Sequence, residues 1–242
     1  MRLIDFKIYS PSFGRASLAC THKQFPRDMF YYCVREDQAN DYLEKTGAQV
    51  LSIPKSEDGS IAKARNWILR NKISRYIVMA DDDIFDFRWI LRRKFKVLDQ
   101  SEIVSQINNG FVMAEDANAG LWGVNCQYDP KFYRVNMPFS FQRIVLGTFS
   151  CILDTTLRYD ESLPLKEDYD FFLQNIKKSG RVLRMNFLSY YCDHQKMAGG
   201  CQSYRTQSAE SDNFDRLQKK WGQSVVQKNN KHKGSINPII RI

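Results

Sequence analysis

The sequence predicts a single α/β domain, with a mixed, mainly parallel sheet flanked by helices. Short apolar runs, each too brief for a typical helix, alternate along the chain with longer stretches of helical periodicity. Gly47 and Gly180 stand where two of the predicted helices stop. The apolar run at residues 76–80 (YIVMA) is bulky throughout, which is typical of a strand buried on both faces.

The predicted elements follow one another along the whole chain. We expect strands at residues 3–9, 29–34, 48–53, 76–80, 121–126 and 182–192, and one bent strand or two within residues 141–153. We expect helices at residues 36–45, from Ser60 onwards, and at residues 101–118, 167–178 and 208–221. Ser60 is the expected N-cap of the second helix, because an apolar stripe follows it at helical spacing.

Composition and charge narrow the class of protein. The chain has 242 residues, 43% hydrophobic and 13% aromatic, which suffices for a packed core. The formal charge of +9 favours a polyanionic partner such as nucleic acid, or substrates that carry phosphate. We expect one domain over residues 1–222, followed by a basic tail at residues 223–242 that is flexible or draped over the domain.

Cysteine spacing and hydropathy indicate the compartment. None of the six cysteines forms a CxxC pair, which argues against a zinc ribbon or a redox motif. No apolar stretch is long enough to span a bilayer, and the N-terminus carries no signal-peptide core. We therefore expect a cytoplasmic protein with free thiols and no membrane partner.

Three consecutive carboxylates follow the apolar run at residues 76–80. This aspartate triplet (Asp81, Asp82 and Asp83) comes where a parallel strand presents its carboxyl end, the usual place for ligands in α/β sheets. Like charges this close repel one another unless a cation lies among them. Mg²⁺ or Mn²⁺ commonly bridges carboxylates to substrate phosphates, so we expect a metal here. The alternative is a solvated acidic turn.

The first strand leads into a loop that is a candidate for nucleotide binding. Ser10 and Arg15 belong to this loop. The alternative is that the loop is an ordinary turn. Arg65 lies on the helix after Ser60, and it either points towards a diphosphate or lies on a solvated helix face.

Two later motifs add candidate residues. Glu167 and Asp168 open a helix, where acidic residues suit the helix dipole but also present a catalytic base to a cleft. His194 follows the last long strand and is a candidate metal ligand. Gly199 and Gly200 either let the backbone approach a phosphate or form a turn.

The segment after the aspartate triplet interleaves aromatic residues with cations. Residues 85–98 include Arg88, Arg92, Arg93, Lys94 and Lys96. Such a pattern can stack bases and bind phosphates. The alternative, which we favour, is a basic edge hairpin whose aromatic side chains face the core.

The candidate residues, taken in their order along the chain, resemble the pattern of the GT-A glycosyltransferases, which have a Rossmann-like fold. The resemblance covers residues 3–205 and includes the loop cation, Asp81-x-Asp83, Glu167-Asp168 and His194. It implies that Asp83 and His194 hold Mn²⁺ or Mg²⁺ on the diphosphate of a nucleotide sugar of the UDP type, and that Asp81 contacts either the ribose or the metal. It also implies that Asp168 is the catalytic base in an inverting reaction; in a retaining one, Asp168 would position the acceptor or the sugar.

A narrower resemblance is to the TET-associated glycosyltransferases, which are encoded largely by bacteriophages. It rests on the strings THK at residues 21–23, ARNWIL at 64–69, VMADDDI at 78–84 and GGCQ at 199–202. It implies sugar transfer to hydroxymethylated pyrimidines such as 5-hydroxymethylcytosine in DNA, in the host cytoplasm. The triplet departs from a simple DxD motif, which leaves open which two aspartates bind metal and makes Asp82 a further candidate for donor binding.

Three other functions stay open at this point. The same chemistry can act on a glycan or protein acceptor, a degenerate scaffold can bind DNA without catalysis, and clustered aspartates can serve a nuclease or nucleotidyltransferase. The identity of the sugar, the acceptor base and the number of subunits are not determined by the sequence.

Overall fold

A ten-stranded mixed sheet forms the centre of the computed structural model, which describes residues 2–192, 200, 204–229 and 236–242. Nine strands follow the order β3-β2-β1-β4-β9-β7-β10-β5-β6, and β8 pairs with β10. The strands are β1 (Phe6–Pro11), β2 (Phe30–Arg35), β3 (Gln49–Ile53), β4 (Tyr76–Ala80), β5 (Ile84–Leu91), β6 (Lys94–Val97), β7 (Leu121–Asn125), β8 (Phe139–Ser140), β9 (Phe149–Ile152) and β10 (Leu183–Cys192).

Five α-helices accompany the sheet in the described part of the chain. They are α1 (Ala39–Thr46), α2 (Ile61–Asn71), α3 (Gln100–Asp116), α4 (Glu167–Ser179) and α5 (Gln207–Trp221). The predicted N-cap of α2 is confirmed, because Ser60 accepts a hydrogen bond from the Lys63 amide. Gly47 and Gly180 end α1 and α4 in the left-handed conformation that favours glycine.

Strand β4 lies at the centre of the sheet and is buried along its whole length. It pairs in parallel with β1 on one side and antiparallel with β9 on the other. Side chains of β4 point alternately to two hydrophobic clusters, so Val78 packs on the face covered by α1 and α3, while Ile77 and Met79 pack on the face covered by α2, α4 and α5. The α/β prediction, with helices on a mixed sheet, is therefore confirmed.

The prediction for residues 141–153 was wrong over most of its length. Only Phe149–Ile152 is a strand of that segment, and residues 141–148 form bends and turns. Apolar composition suggested a strand there, but the segment instead packs Val145 over Gly123 of β7 and brings Gly147 against the guanidinium of Arg65.

The tail holds more regular structure than its composition suggests. Two short strands, β11 (Val226–Lys228) and β12 (Pro238–Ile240), pair antiparallel, and Val226 is fully buried in the cluster that contains α5. Within the described residues, no helix combines the length and hydropathy that crossing a bilayer requires.

Candidate active site

A cavity of about 610 Å³ lies at the carboxyl ends of the parallel strands. The fold brings together at its wall most of the residues that the sequence singled out: Arg15, Arg65, Asp81, Asp82, Asp83, Glu167, Asp168 and Gly200. Ser10 is fully buried and does not line the cavity; the loop serine that does is Ser12. His194 and Gly199 lie outside the described residues.

Asp82 is held by protein groups on both carboxylate oxygens. Ser12 donates a hydrogen bond to Oδ2, and the Arg15 guanidinium contacts Oδ1 at 3.0 Å. Burial raises the pKa of Asp82, and Arg15 opposes that shift. Asp82 therefore anchors the β1 loop to the aspartate triplet.

Asp83 is the least satisfied of the three carboxylates. It is 8% exposed, and its buried Oδ1 has no hydrogen-bond partner among the described residues. Burial, with the neighbouring charges of Asp81 and Asp82, raises the pKa of Asp83 to about 7. A cation at Oδ1 would offset this repulsion, so the donor set fits a hard divalent metal.

The backbone of the triplet is fixed by the segment that follows the first loop. The Thr21 hydroxyl donates to the Asp81 carbonyl at 2.7 Å and accepts from the Ile84 amide at 2.8 Å, and the Cys20 amide donates to the Asp82 carbonyl at 2.9 Å. These bonds set the direction in which each carboxylate leaves the chain.

Arg65 is a buried clamp between two acids, not part of a solvated helix face. One terminal nitrogen lies 2.7 Å from Glu167 Oε1 and the other lies 3.1 Å from Asp81 Oδ1, with the arginine side chain 3% exposed. Burial alone lowers the pKa of Arg65, but the charges of Glu167 and Asp81 outweigh burial and raise it. The clamp therefore joins the aspartate triplet to the start of α4.

Glu167 and Asp168 are adjacent in sequence but have different environments. Glu167 is 6% exposed and tied to Arg65, and burial raises its pKa to about 8 against the opposing effect of Arg65. Asp168 is half-buried at the cavity wall, and its Oδ2 accepts a hydrogen bond from the Gly147 amide at 3.2 Å. Asp168 is thus the carboxylate better placed to meet a substrate, and Glu167 is better placed to position the clamp.

Gly147 provides a direct test of the clamp. A Cβ at this position would lie 2.2 Å from one terminal nitrogen of Arg65, whose buried guanidinium is held there by Glu167 and Asp81. We expect Gly147→Ala to disrupt both ion pairs and lower activity at least about tenfold, because misplacing catalytic groups slightly is costly. Steady-state kinetics and thermal melting would measure this.

Arg65→Lys is the matched comparison for Gly147→Ala. Lysine keeps the charge but cannot span two carboxylates as the guanidinium fork does. The two variants should therefore lose activity to a similar extent. Wild-type kinetics in Gly147→Ala would contradict the role given to the clamp.

Gly200 packs over Arg15. Its amide donates to the Phe13 carbonyl at 3.0 Å, its φ is +56°, and a Cβ there would come within 3.0 Å of the Arg15 guanidinium carbon. Of the two roles considered for this glycine, the described geometry favours a close turn over the first loop.

Several charged residues at the cavity wall were not singled out from the sequence. Lys166, only 2% exposed, forms an ion pair with Glu210, which also lies 3.0 Å from Nε of Arg205. All three line the cavity. The partners are 44 residues apart in sequence, and no motif links α4 to α5.

No three His, Cys, Asp or Glu side chains form a complete metal site among the described residues. The proposed ligand set of Asp81, Asp83 and His194 therefore stays a prediction, with His194 outside the described ranges.

Comparison with known proteins also indicates a glycosyltransferase. The profile described as TET-Associated Glycosyltransferase matches residues 6–200. No curated protein sequence matches the chain significantly.

Solved structures with a similar fold are known. The mannosyltransferase PcManGT from Pyrobaculum calidifontis, in complex with GDP-Man and Mn²⁺, has a TM-score of 0.58 and 14% identity, over 90% of this chain and 65% of that one. Glucosyl-3-phosphoglycerate synthase from Mycobacterium tuberculosis, in complex with Mn²⁺, UDP-glucose and glycerol 3-phosphate, has a TM-score of 0.58 and 11% identity, over 94% of this chain and 84% of that one. At these identities the likeness establishes the GT-A fold and no more. The chain spans about two thirds of several matched structures, including 66% of S. aureus TarS 1-349.

Proposed function

We propose that this chain, which belongs to the TET-associated glycosyltransferase family, transfers a sugar from a UDP-linked donor to a hydroxymethylpyrimidine in DNA, most simply 5-hydroxymethylcytosine. The family membership supports sugar transfer, and the family's description suggests the acceptor. The formal charge of +9 supports a polyanionic acceptor, because phosphate contacts supply much of the affinity for DNA.

One observation carries the proposal: a single cavity holds two groups of acidic residues that lie at different places on its wall. Asp81 and the unsatisfied Asp83 lie at the end of β4, and the half-buried Asp168 lies at the start of α4. A volume of about 610 Å³ falls within the usual range for small-molecule sites. A metal-bound diphosphate at one wall and an acceptor hydroxyl at the other would account for both groups.

Asp81 and Asp83, together with His194, are the residues proposed to hold Mn²⁺ or Mg²⁺. Oδ1 of Asp83, which has no hydrogen-bond partner in the described part of the chain, supports this assignment. The structures of the mannosyltransferase and the synthase contain Mn²⁺ with a nucleotide or nucleotide sugar, which agrees with it. When bound, the metal supplies Lewis-acid stabilisation of charge on the leaving diphosphate. Arg15 contributes by holding Asp82, and thereby the triplet, in place.

Asp168 is proposed as the general base of an inverting transfer. Its carboxylate takes the proton of the acceptor hydroxyl while that oxygen forms a bond to the anomeric carbon, and the bond from this carbon to the diphosphate breaks. The nucleoside diphosphate leaves with the bonding electrons. Hydrogen bonds from the Gly147 and Tyr169 amides orient Asp168, and Glu167 acts through the Arg65 clamp.

The test is a nucleoside mass assay. The protein is incubated with Mn²⁺, a panel of nucleotide sugars, and DNA that carries either 5-hydroxymethylcytosine or cytosine. We expect a hexose or pentose mass increment on the hydroxymethylated DNA alone. UDP release without any DNA product would reject the DNA acceptor and point to a glycan or protein acceptor, whereas nicked DNA or released pyrophosphate without added sugar would favour a nuclease or nucleotidyltransferase.

A further inference from the structure

The edge hairpin formed by β5 and β6 carries exposed rings and cations that the proposed catalytic machinery does not use. One face of the hairpin holds an arginine–aromatic cluster, defined here as Arg88, Phe95, Tyr128 and Tyr191. The Arg88 guanidinium lies 4.3 Å from the ring centroid of Phe95, 4.7 Å from that of Tyr191 and 5.5 Å from that of Tyr128.

The cluster is rigid at its centre and open at its edge. Asp86 binds Arg88 through both carboxylate oxygens, at 2.7 and 2.9 Å, so Arg88 serves to hold the rings in place. Phe95 and Tyr128 nevertheless remain 47% and 46% exposed. Preorganised rings with open faces are the surface on which unpaired bases stack.

The turn of the hairpin adds positive charge. Arg92 and Arg93 form a two-residue turn and Lys94 opens β6; we call these three residues the basic tip. All three are exposed, and in the described part of the chain no carboxylate forms an ion pair with any of them. Arg92 has a φ of 56°, a conformation that glycine or asparagine normally supplies in such turns. An arginine there places charge where turn geometry alone would select a smaller residue.

The hairpin is continuous with the cavity at two points. Phe85 lies two residues after Asp83, and Tyr128 follows Gln127, which lines the cavity. With a rise of about 3.3 Å per residue, β5 carries the basic tip roughly 25 Å from the aspartate triplet. A ligand that contacts both the cavity and the basic tip must therefore be long and negatively charged.

We infer that this hairpin is the docking surface for the acceptor DNA strand, which lies along β5 and β6 with unpaired bases against the arginine–aromatic cluster and phosphates at the basic tip. This rests on the proposed function for the identity of the acceptor. A second copy of the chain is a poorer occupant of this edge, because two basic tips would repel each other.

The first experiment measures binding of a labelled, single-stranded oligodeoxynucleotide of about 20 nucleotides, longer than common single-strand site sizes and free of hydroxymethyl groups. The tip variant is Arg92→Gly with Arg93→Ser and Lys94→Thr, which keeps residues suited to the turn and the strand. At about 0.1 M salt, we expect its affinity to fall on the order of a hundredfold, with a plot of log K against log salt less steep by about 2.

The control variant removes the same number of positive charges at positions outside the hairpin. Lys45→Gln with Lys177→Gln and Lys219→Gln changes three exposed helical lysines and leaves the hairpin intact. It should retain at least a tenth of the wild-type affinity. Equal losses in the two variants would overturn the proposal, because binding would then follow net charge and not this surface.

The second experiment isolates the ring faces. Tyr128→Ser should weaken binding of the same strand by about tenfold, and Tyr128→Phe should not, because stacking depends on the ring. Tyr128 lies in a loop and is exposed, so neither change should alter the melting temperature. Unchanged binding in Tyr128→Ser would overturn the stacking assignment.

The outcome can be separated from that of the proposed function. Transfer to the free nucleoside 5-hydroxymethyldeoxycytidine should be unchanged in the tip variant, whereas transfer to the hydroxymethylated strand should fall with binding. Tip-dependent DNA binding without transfer to any DNA would support the surface and reject the acceptor. Normal transfer to DNA by the tip variant would reject the docking surface without contradicting the proposed function. A dimer that the tip variant abolishes, with DNA binding unchanged, would also reject the docking surface and not the function.

Discussion

Asp168→Asn is expected to lower kcat by about a thousandfold while leaving the affinity for UDP and Mn²⁺ unchanged. Loss of a positioned general base lowers the rate by roughly 10²- to 10⁴-fold. Asparagine can still accept the hydrogen bond from the Gly147 amide. Steady-state kinetics on the hydroxymethylated strand and calorimetric titration with UDP would measure the two effects.

Asp170→Asn is the matched control, two residues further along α4. Asp170 is fully buried and accepts hydrogen bonds from Trp221 Nε1 at 2.8 Å and Gln174 at 2.6 Å, so it ties α4 to α5 away from the acceptor. We expect this variant to melt at a lower temperature but to keep its kcat. If Asp168→Asn retained more than about a tenth of the wild-type kcat, the general-base role would be rejected.

Asp83→Asn is expected to abolish metal-dependent donor binding and yet to stabilise the metal-free protein. Removal of a proposed metal ligand should weaken Mn²⁺-dependent UDP binding by at least about a hundredfold, since loss of a group that only hydrogen-bonds to a metal ligand can reach that size. In the metal-free protein, however, burial and the charges of Asp81 and Asp82 oppose ionisation of Asp83. Loss of that charge relieves repulsion.

The pH dependence of stability gives the sign of this effect. The folded-state pKa of Asp83, about 7, lies above the value of about 4 for an unfolded aspartate. The favourable contribution of protonated Asp83 is complete below the unfolded value and is lost as the pH rises to the folded one. With a chelator present, the melting-temperature advantage of Asp83→Asn over wild type should therefore grow between pH 5 and pH 8.

Asp82→Asn should lack this advantage, because Arg15 opposes the effect of burial on Asp82 and would lose its own partner. Asp82 neutralises the largely buried Arg15 and accepts from Ser12, and removal of one partner of a buried ion pair typically costs a few kcal/mol. Thermal melting of the two neighbouring variants under the same conditions compares them directly. A lower melting temperature for Asp83→Asn than for Asp82→Asn would contradict the environments assigned to these carboxylates.

Local signals in the sequence predicted much of the fold. The run at residues 76–80 matches β4 to the residue, and Ser60, Gly47 and Gly180 mark the helix ends as expected. The basic edge hairpin was also anticipated, but the expectation that its aromatic side chains face the core was only partly right: Phe87 and Trp89 pack there, whereas Phe85 and Phe95 are exposed. These features depend on neighbours in sequence, through capping, turn conformation and hydrophobic periodicity.

Predictions failed or stayed incomplete where the deciding partner lies far along the chain. The strand expected over residues 141–148 is a loop, in which Val145 packs against Gly123 of β7 and Leu146 lines the cavity. Ser10 is fully buried within β1, whereas Ser12 lies beyond the end of the strand and lines the cavity.

The sequence by itself determined the class of fold and the identity of the acids in the candidate site. Only the tertiary structure decided their different environments: Asp82 is bound to Arg15, Glu167 is clamped by Arg65, and Oδ1 of Asp83 has no hydrogen-bond partner among the residues that the structure describes. The physical reason is that burial and pairing set the chemistry of a carboxylate. Both are created when segments distant in the sequence meet, and neither is encoded at the position of the residue itself.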